Sequence, residues 1–195
     1  MSPNVRSRAF SQEGLFVIDE YVLSVKALSK SDSPEIIDNC SIEHATTLLS
    51  EMFSKAVKTV RIFTMSFDSA LFCRESVVAS ARSFLAENSE ATIDVVVQVE
   101  NGVNHFNNFV NLVVDSNEDF GKRVRFGQVK GTLSAIQTNF VLFDEKAFRY
   151  VKDRSKFEAI ASFNQPSLVT ELGTTFKMLI NSIGTPLKTK SEFVS

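Results

Sequence analysis

Hydrophobic and polar positions switch between helical and strand-like spacing along most of this chain. From Ser41 to Ala56, apolar residues recur three and four positions apart, which predicts a helix with one apolar face. Similar stripes around Val77–Leu85 and Phe106–Val114 predict two further helices. Between them lie short apolar segments that are typical of strands: Thr59–Phe67, Thr92–Val99 and Lys122–Val129. Strands that alternate with helices predict an α/β fold with a mostly parallel sheet and helices on both faces.

The spacing changes in the last third of the chain. Three strand-like segments follow each other with brief connectors, at Thr138–Asp144, Lys146–Val151 and Phe157–Phe163. Short connectors favour antiparallel pairing, so the predicted sheet is mixed. A final helix is predicted from Pro166 to Ser182, because proline suits a first helical turn and Gly184 can end the helix.

The ends of the chain differ from this core. Residues 1–40 are predicted to be a small N-terminal β extension, in which Leu15–Leu28 forms one strand or a hairpin and Ser29–Glu35 is a turn-rich linker. Residues 41–185 form the α/β domain. Residues 186–195 are a polar C-terminal tail that we expect to be partly disordered.

Composition agrees with one globular domain. The chain has 195 residues, of which 44% are hydrophobic, and its 18 phenylalanines are expected to fill the core. The net charge of −2 excludes binding of nucleic acid by bulk attraction. Two cysteines cannot make a disulfide framework, and neither a signal peptide nor a membrane-spanning run is evident. The expected setting is the cytoplasm.

Two polar patterns stand on the late strands. Gln137, Asn139 and Asp144 are spaced two and five positions apart, and a later strand ends in Ala161-Ser162-Phe163-Asn164. With the order of elements over residues 41–185, these patterns resemble a single repeat of the phospholipase D superfamily. That family carries H-x-K-x(4)-D followed by G-S-x-N. Its histidine attacks phosphorus, its lysine stabilises phosphate oxygens, and its serine and asparagine help to hold the phosphate.

The resemblance implies a site that lacks the catalytic histidine and lysine of the family. Asp144, Ser162 and Asn164 match the family, whereas Gln137 stands at the histidine position and Asn139 at the lysine position. An amide is neither a comparable nucleophile nor a positive charge, so these five residues would form a vestigial, catalytically inactive pocket. Since two motifs meet in one active site in this family, a single-repeat chain is expected to be a homodimer.

The residues alone also allow plainer interpretations of the same positions. Asp144 can simply begin a turn, and Ser162 and Asn164 can cap the last helix.

A basic cluster follows the motif region. Arg149, Lys152, Arg154 and Lys156 outnumber Asp153, and they are candidate contacts for phosphate or for an acidic partner. The alternative is a solvated hairpin.

No metal or cofactor site is predicted. His44 and His105 have no ligand partner at metal spacing, and Cys73 beside Arg74 has no nearby histidine.

Three functions are compatible with these observations. The favoured hypothesis is a non-catalytic phospholipase D-like domain that serves dimerisation and binding, as a homodimer or within a larger bacterial complex. The alternatives are a phosphodiesterase or nuclease with a non-standard or partner-supplied active site, and a nucleic-acid-binding accessory protein without chemistry.

Overall fold

Helices and strands alternate along most of the chain. A computed structural model describes residues 12–98, 101–114, 117–129, 136, 138–153 and 158–193. The strands are β1 (Ile37–Asn39), β2 (Thr59–Thr64), β3 (Thr92–Val97), β4 (Val124–Gln128), β5 (Asn139–Phe143), β6 (Ala147–Asp153), β7 (Glu158–Ser162) and β8 (Lys188–Thr189). The helices are α1 (Gln12–Lys30), α2 (Ile42–Lys55), α3 (Ser69–Phe72), α4 (Glu75–Glu87), α5 (Asn101–Val114), α6 (Glu118–Arg123), α7 (Pro166–Ile183) and α8 (Lys190–Phe193).

The strands form one eight-stranded sheet in the order β1-β7-β6-β5-β2-β3-β4-β8. β2, β3 and β4 are parallel neighbours, while β5, β6 and β7 form an antiparallel meander. This architecture confirms the predicted α/β class and the mixed sheet. The expectation of mostly parallel pairing is wrong, because the meander, its junction with β2 and both edge strands pair antiparallel.

Helices cover both faces of the sheet, as predicted. On one face, α2, α4 and α5 each contribute five residues to the larger buried cluster. On the other face, Phe176 and Leu179 of α7 pack against Phe140, Leu142 and Phe148. The predicted role of phenylalanine is confirmed, because ten phenylalanines are among the largest fully buried side chains: Phe53, Phe63, Phe67, Phe106, Phe109, Phe126, Phe140, Phe143, Phe148 and Phe176.

Local signals fix the ends of the two best-predicted helices. The Ser41 hydroxyl accepts a hydrogen bond from the His44 backbone N–H at 3.1 Å and caps α2. Pro166 occupies the first turn of α7, and Gly184 ends that helix with φ at 72°, a conformation that glycine adopts without strain.

The N-terminal prediction is wrong for Leu15–Leu28, which lie in helix α1 instead of a strand or hairpin. Val25 is fully buried, and Tyr21 and Leu28 pack against the same core at helical spacing. Packing of such a face outweighs the modest helix penalty of β-branched residues. After the connector, β1 pairs antiparallel with β7, so Ile37–Asn39 extend the same sheet.

The predicted polar tail also contains regular structure. β8 pairs with β4 at the sheet edge, and α8 follows it directly. The Glu192 carboxylate accepts hydrogen bonds from the Thr189 N–H at 2.6 Å and from the Thr189 hydroxyl at 2.8 Å. These contacts lower the pKa of Glu192.

Candidate functional site

A cavity of about 220 Å³ opens where β2 ends and β5 begins. We call it the sheet-end cavity. Its walls are mainly apolar, and they include Phe63, Phe72 and Phe140. The remaining lining residues are Ile62, Thr64, Met65, Ser66, Asp68, Leu71, Asn139, Val141, Arg149 and Val151. An apolar concavity with a few polar groups is the usual form of a small-molecule site.

Arg149 is the cationic group of this cavity. It lies on β6 between Val141 of β5 and Ala161 of β7, and it is only 4% exposed. Among the described residues, its Nε has no hydrogen-bond partner and its guanidinium forms no ion pair. Burial lowers the pKa of Arg149 to about 10, so the side chain stays protonated at neutral pH.

Asp68 supplies a negative charge to the same lining. It is the N-cap of α3, where its Oδ1 accepts a hydrogen bond from the Ala70 N–H at 2.9 Å. This short helix places Leu71 and Phe72 in the cavity wall. Asp68 opposes the effect of burial on the pKa of Arg149, so the two charges interact without forming an ion pair among the described contacts.

Asn139 has a structural hydrogen bond at the cavity edge. Its Oδ1 accepts from the Met65 backbone N–H at 3.0 Å. The register between β2 and β5 ends at Phe63 and Phe140, so this side chain ties the chain after β2 to the start of β5. A lysine at position 139 could not make this bond, because an ammonium group only donates.

Buried polar groups extend beyond the cavity on the same side of the sheet. The Tyr21 hydroxyl and both amide atoms of Asn39 are buried and have no partner in the described part of the chain. The Tyr21 ring stacks on His44 with 3.7 Å between ring centroids. Burial raises the pKa of Tyr21, and the charge of Arg149 partly offsets that rise.

Of the predicted vestigial pocket, the four residues that the structure describes do not all lie together. Asn139 lies at the sheet-end cavity, whereas Asp144 follows the other end of β5, about 17 Å along the strand at ~3.4 Å per residue. The Asp144 carboxylate accepts hydrogen bonds from the backbone N–H groups of Val57, Lys58 and Thr59 at 2.9, 2.7 and 2.9 Å. Asp144 therefore stabilises the amino end of β2 against the turn that follows β5.

Ser162 and Asn164 also lie away from the cavity. The β6–β7 hairpin reverses the chain, so Ser162 pairs with Phe148 near the Asp144 end of the sheet. The Ser162 hydroxyl donates to the Ser33 carbonyl at 3.4 Å and accepts from the Asn164 N–H at 3.3 Å. Neither residue caps α7, since its N-cap is Gln165 without a side-chain capping bond.

The other predicted residues fall partly outside the description. Gln137, Arg154 and Lys156 lie outside the described residues, and Lys152 is described only as a backbone position of β6. Of the predicted basic cluster, Arg149 is thus the member whose surroundings are known. Arg149 is buried, so it fits neither of the two predicted roles of the cluster, a solvated hairpin or a surface contact for phosphate or an acidic partner.

Sequence reasoning missed Asp68 and Tyr21. The Asp68 cap is visible in "FDSALF", since aspartate favours the position before a helix, but nothing there reveals that α3 borders a cavity. Tyr21 was missed because Leu15–Leu28 were predicted to form a strand or hairpin, whereas they lie in α1. Within the described residues, no group of His, Cys, Asp and Glu could hold a metal ion, and no helix is long and apolar enough to cross a membrane.

Solved structures with the same fold identify its class. Nuc from Salmonella typhimurium, a phospholipase D family member, is 10% identical with a TM-score of 0.54, and the match covers 80% of this chain and 97% of Nuc. NucT from Helicobacter pylori is 11% identical with a TM-score of 0.52, covering 76% of this chain and 98% of NucT. Phosphatidylserine synthase from Haemophilus influenzae Rd KW20 is 10% identical with a TM-score of 0.51, covering 82% of this chain and 40% of that one.

The chain therefore has a phospholipase D-like fold, which confirms the resemblance seen in its sequence at the level of architecture. No protein-family model and no curated protein sequence matches it.

Proposed function

We propose that this protein is a non-catalytic binding module built on the phospholipase D-like fold. The observation that supports this most is the hydrogen bond from the Met65 N–H to the side chain of Asn139. The family resemblance aligns position 139 with the catalytic lysine, and here the side chain carries no charge and holds two strands together. With its oxygen held by the Met65 N–H, Asn139 can offer a phosphate only a neutral amide donor and no positive charge.

The lining of the sheet-end cavity supports the same conclusion. Among the described lining residues there is no histidine, cysteine or lysine, and the ionisable groups are Asp68 and Arg149. Arginine stays protonated and does not act as a nucleophile or as a general base at neutral pH. This set of groups can bind and orient a ligand, but it lacks the activated nucleophile that phosphoryl transfer through a covalent intermediate requires.

The absence of chemistry can be tested directly. Wild-type protein at high concentration is incubated with methyl 4-nitrophenyl phosphate and with single- and double-stranded DNA, and product is followed over hours. We expect no release of nitrophenolate and no DNA cleavage above the buffer rate. Turnover that Asn139→Ala abolishes, and that the control Asn108→Ala at an exposed position of α5 leaves intact, would show that the site is catalytic.

We also propose that the protein forms a homodimer through the sheet end that carries the cavity. The resemblance implies a second motif opposite this end, and Met65 at the cavity edge is 40% exposed. An exposed methionine at that place would be covered in a dimer.

Sedimentation equilibrium tests the dimer, with two methionine variants as a matched pair. Met65→Lys should weaken association, while Met178→Lys on α7, where Met178 is 61% exposed, should not. A wild-type protein that is monomeric at all concentrations, or a dimer that only Met178→Lys dissociates, would contradict this interface.

A further inference from the structure

Arg149 is a buried positive charge for which the fold provides no anionic partner among the described residues. Its side chain lines the sheet-end cavity, the residue is 4% exposed, and its Nε makes no hydrogen bond there. Removing an ion from water without compensation costs several kcal/mol. A charge kept in such a place is explained if a ligand brings the compensating charge.

Nearby groups of the protein supply only part of this compensation, through the charge of Asp68. Tyr21 is close enough for its charge state to affect Arg149, yet the Tyr21 hydroxyl itself has no hydrogen-bond partner in the described part of the chain. Asp68 uses its Oδ1 to cap α3 and forms no ion pair with Arg149. The guanidinium is therefore available to an oxyanion, whose two oxygens match its donor geometry.

Two features of the cavity restrict which oxyanion can enter. Because Arg149 is almost completely buried, a ligand must reach it with a terminal group and leave the rest of its body toward the opening. Because Asp68 adds a negative charge to the same lining, a dianion such as a phosphate monoester is repelled more strongly than a monoanion. A carboxylate is a terminal monoanion with two equivalent oxygens that match a guanidinium, whereas a phosphodiester has substituents on both sides.

The walls define the rest of the ligand. Leu71 and Phe72 of α3 and Val141 of β5 provide apolar surface on the face of the sheet that carries Arg149, and the volume of about 220 Å³ suits only a small molecule. We propose that the sheet-end cavity binds a small apolar or aromatic carboxylic acid, whose carboxylate pairs with Arg149. This proposal rests on the proposed binding role, and it adds the chemical class of the ligand.

Thermal unfolding and isothermal titration calorimetry test this proposal with four probes on the full chain. Benzoate is the predicted class, benzamide is its neutral analogue, phenyl phosphate is a terminal dianion, and methyl 4-nitrophenyl phosphate is a diester monoanion. We expect benzoate to raise the Tm of the wild-type protein and to bind more tightly than the other three. Equal shifts from benzamide, tighter binding of either phosphate, or no response to benzoate would overturn the proposal.

Variants connect this response to Arg149. Arg149→Met should weaken benzoate binding at least about tenfold, because it removes charge-assisted hydrogen bonds. The control Arg61→Met removes an arginine that pairs with Glu145 outside the cavity lining, and it should leave benzoate binding unchanged. If Arg149→Met does not fold, Arg149→Lys decides: affinity should fall severalfold because the paired donors are lost, and unchanged affinity would overturn the proposal.

The diester separates this proposal from the proposed function. Release of nitrophenolate would refute the non-catalytic role. A protein that neither releases nitrophenolate nor binds benzoate would refute the carboxylate ligand and leave the non-catalytic fold standing.

Discussion

At the scale of single residues, several polar side chains serve the fold, although the sequence presents them as candidates for chemistry. Asp144 is the clearest example. Its carboxylate accepts three backbone N–H groups before and at the start of β2, and its own backbone has a positive φ of 53°. Aspartate tolerates this conformation better than most residues, so both its backbone and its side chain favour this position.

We predict that Asp144→Ala lowers the free energy of unfolding by about 2–3 kcal/mol, because three donors lose a charged acceptor. Chemical denaturation measures this change. The neighbouring variant Glu145→Ala is the control, since it removes only an exposed ion pair with Arg61 and should cost less than about 1 kcal/mol. Similar costs for both variants would argue against the anchoring role.

His44 should make stability depend on pH. Burial lowers its pKa, Glu43 opposes this effect, and its ring stacks on Tyr21 while Nδ1 has no partner in the described part of the chain. The unfolded chain then binds a proton more readily than the folded protein. The contribution of neutral His44 to the free energy of unfolding is fully present above the ordinary histidine pKa of about 6.5 and is lost as the pH falls below that value.

We therefore expect denaturation midpoints to fall less between pH 8 and pH 5 in His44→Phe than in the wild-type protein. Phenylalanine keeps an aromatic ring against Tyr21 but cannot take up a proton. The same dependence of the denaturation midpoint on pH in both proteins would show that His44 is not the source of the pH dependence.

At the scale of elements, the sequence predicted those whose own periodicity and caps agree. α2, α4, α5 and α7 were visible in their apolar faces, and β2 to β7 in their apolar runs. α1 was not predicted, because its β-branched and aromatic residues are typical of a strand. Its helical packing becomes evident only in the structure, where Val25 is buried in the core. The edge strands β1 and β8 are too short to give a pattern, and their pairing is decided by distant partners.

Two glycines should respond in opposite directions to alanine. In α7, a Cβ on Gly173 would lie 3.7 Å from Nη1 of Arg61, an ordinary contact, so Gly173→Ala should stabilise the protein by about 0.5–1 kcal/mol through helix propensity. In β4, a Cβ on Gly127 would lie 2.5 Å from both Ile183 Cδ1 and Leu187 Cδ2. Gly127→Ala should therefore destabilise by about 1–3 kcal/mol. Thermal unfolding of both variants tests the packing of α7 on the sheet.

At the scale of the whole molecule, the order of elements predicted the architecture better than the motif predicted the site. The resemblance placed Asn139 at what proves to be a cavity edge. It also grouped Asp144, Ser162 and Asn164 with that residue, although strand length and the β6–β7 hairpin put them at the opposite end of the sheet. Sequence spacing records positions along a strand, and only the pairing of strands shows which ends meet.

Arg149 illustrates the same limit. In the sequence it belongs to a basic cluster and looks solvated, whereas β6 lies inside the sheet and turns this side chain into the cavity. The cost of such a charge is invisible in composition, because it depends on the neighbours that three other strands and α3 provide. It becomes interpretable only when its burial and its lack of a partner in the described structure are known together.

We propose that Arg149 is retained for binding and not for folding, and equilibrium unfolding of Arg149→Met without ligand distinguishes the two roles. Because replacing an incompletely compensated buried ion with an apolar side chain relieves desolvation, we predict that this variant is more stable than the wild-type protein by about 1–3 kcal/mol. Arg61→Met, which breaks an ion pair, should show no such gain. A loss of about 3–5 kcal/mol in Arg149→Met, as expected when a paired buried charge is removed, would show that Arg149 serves folding.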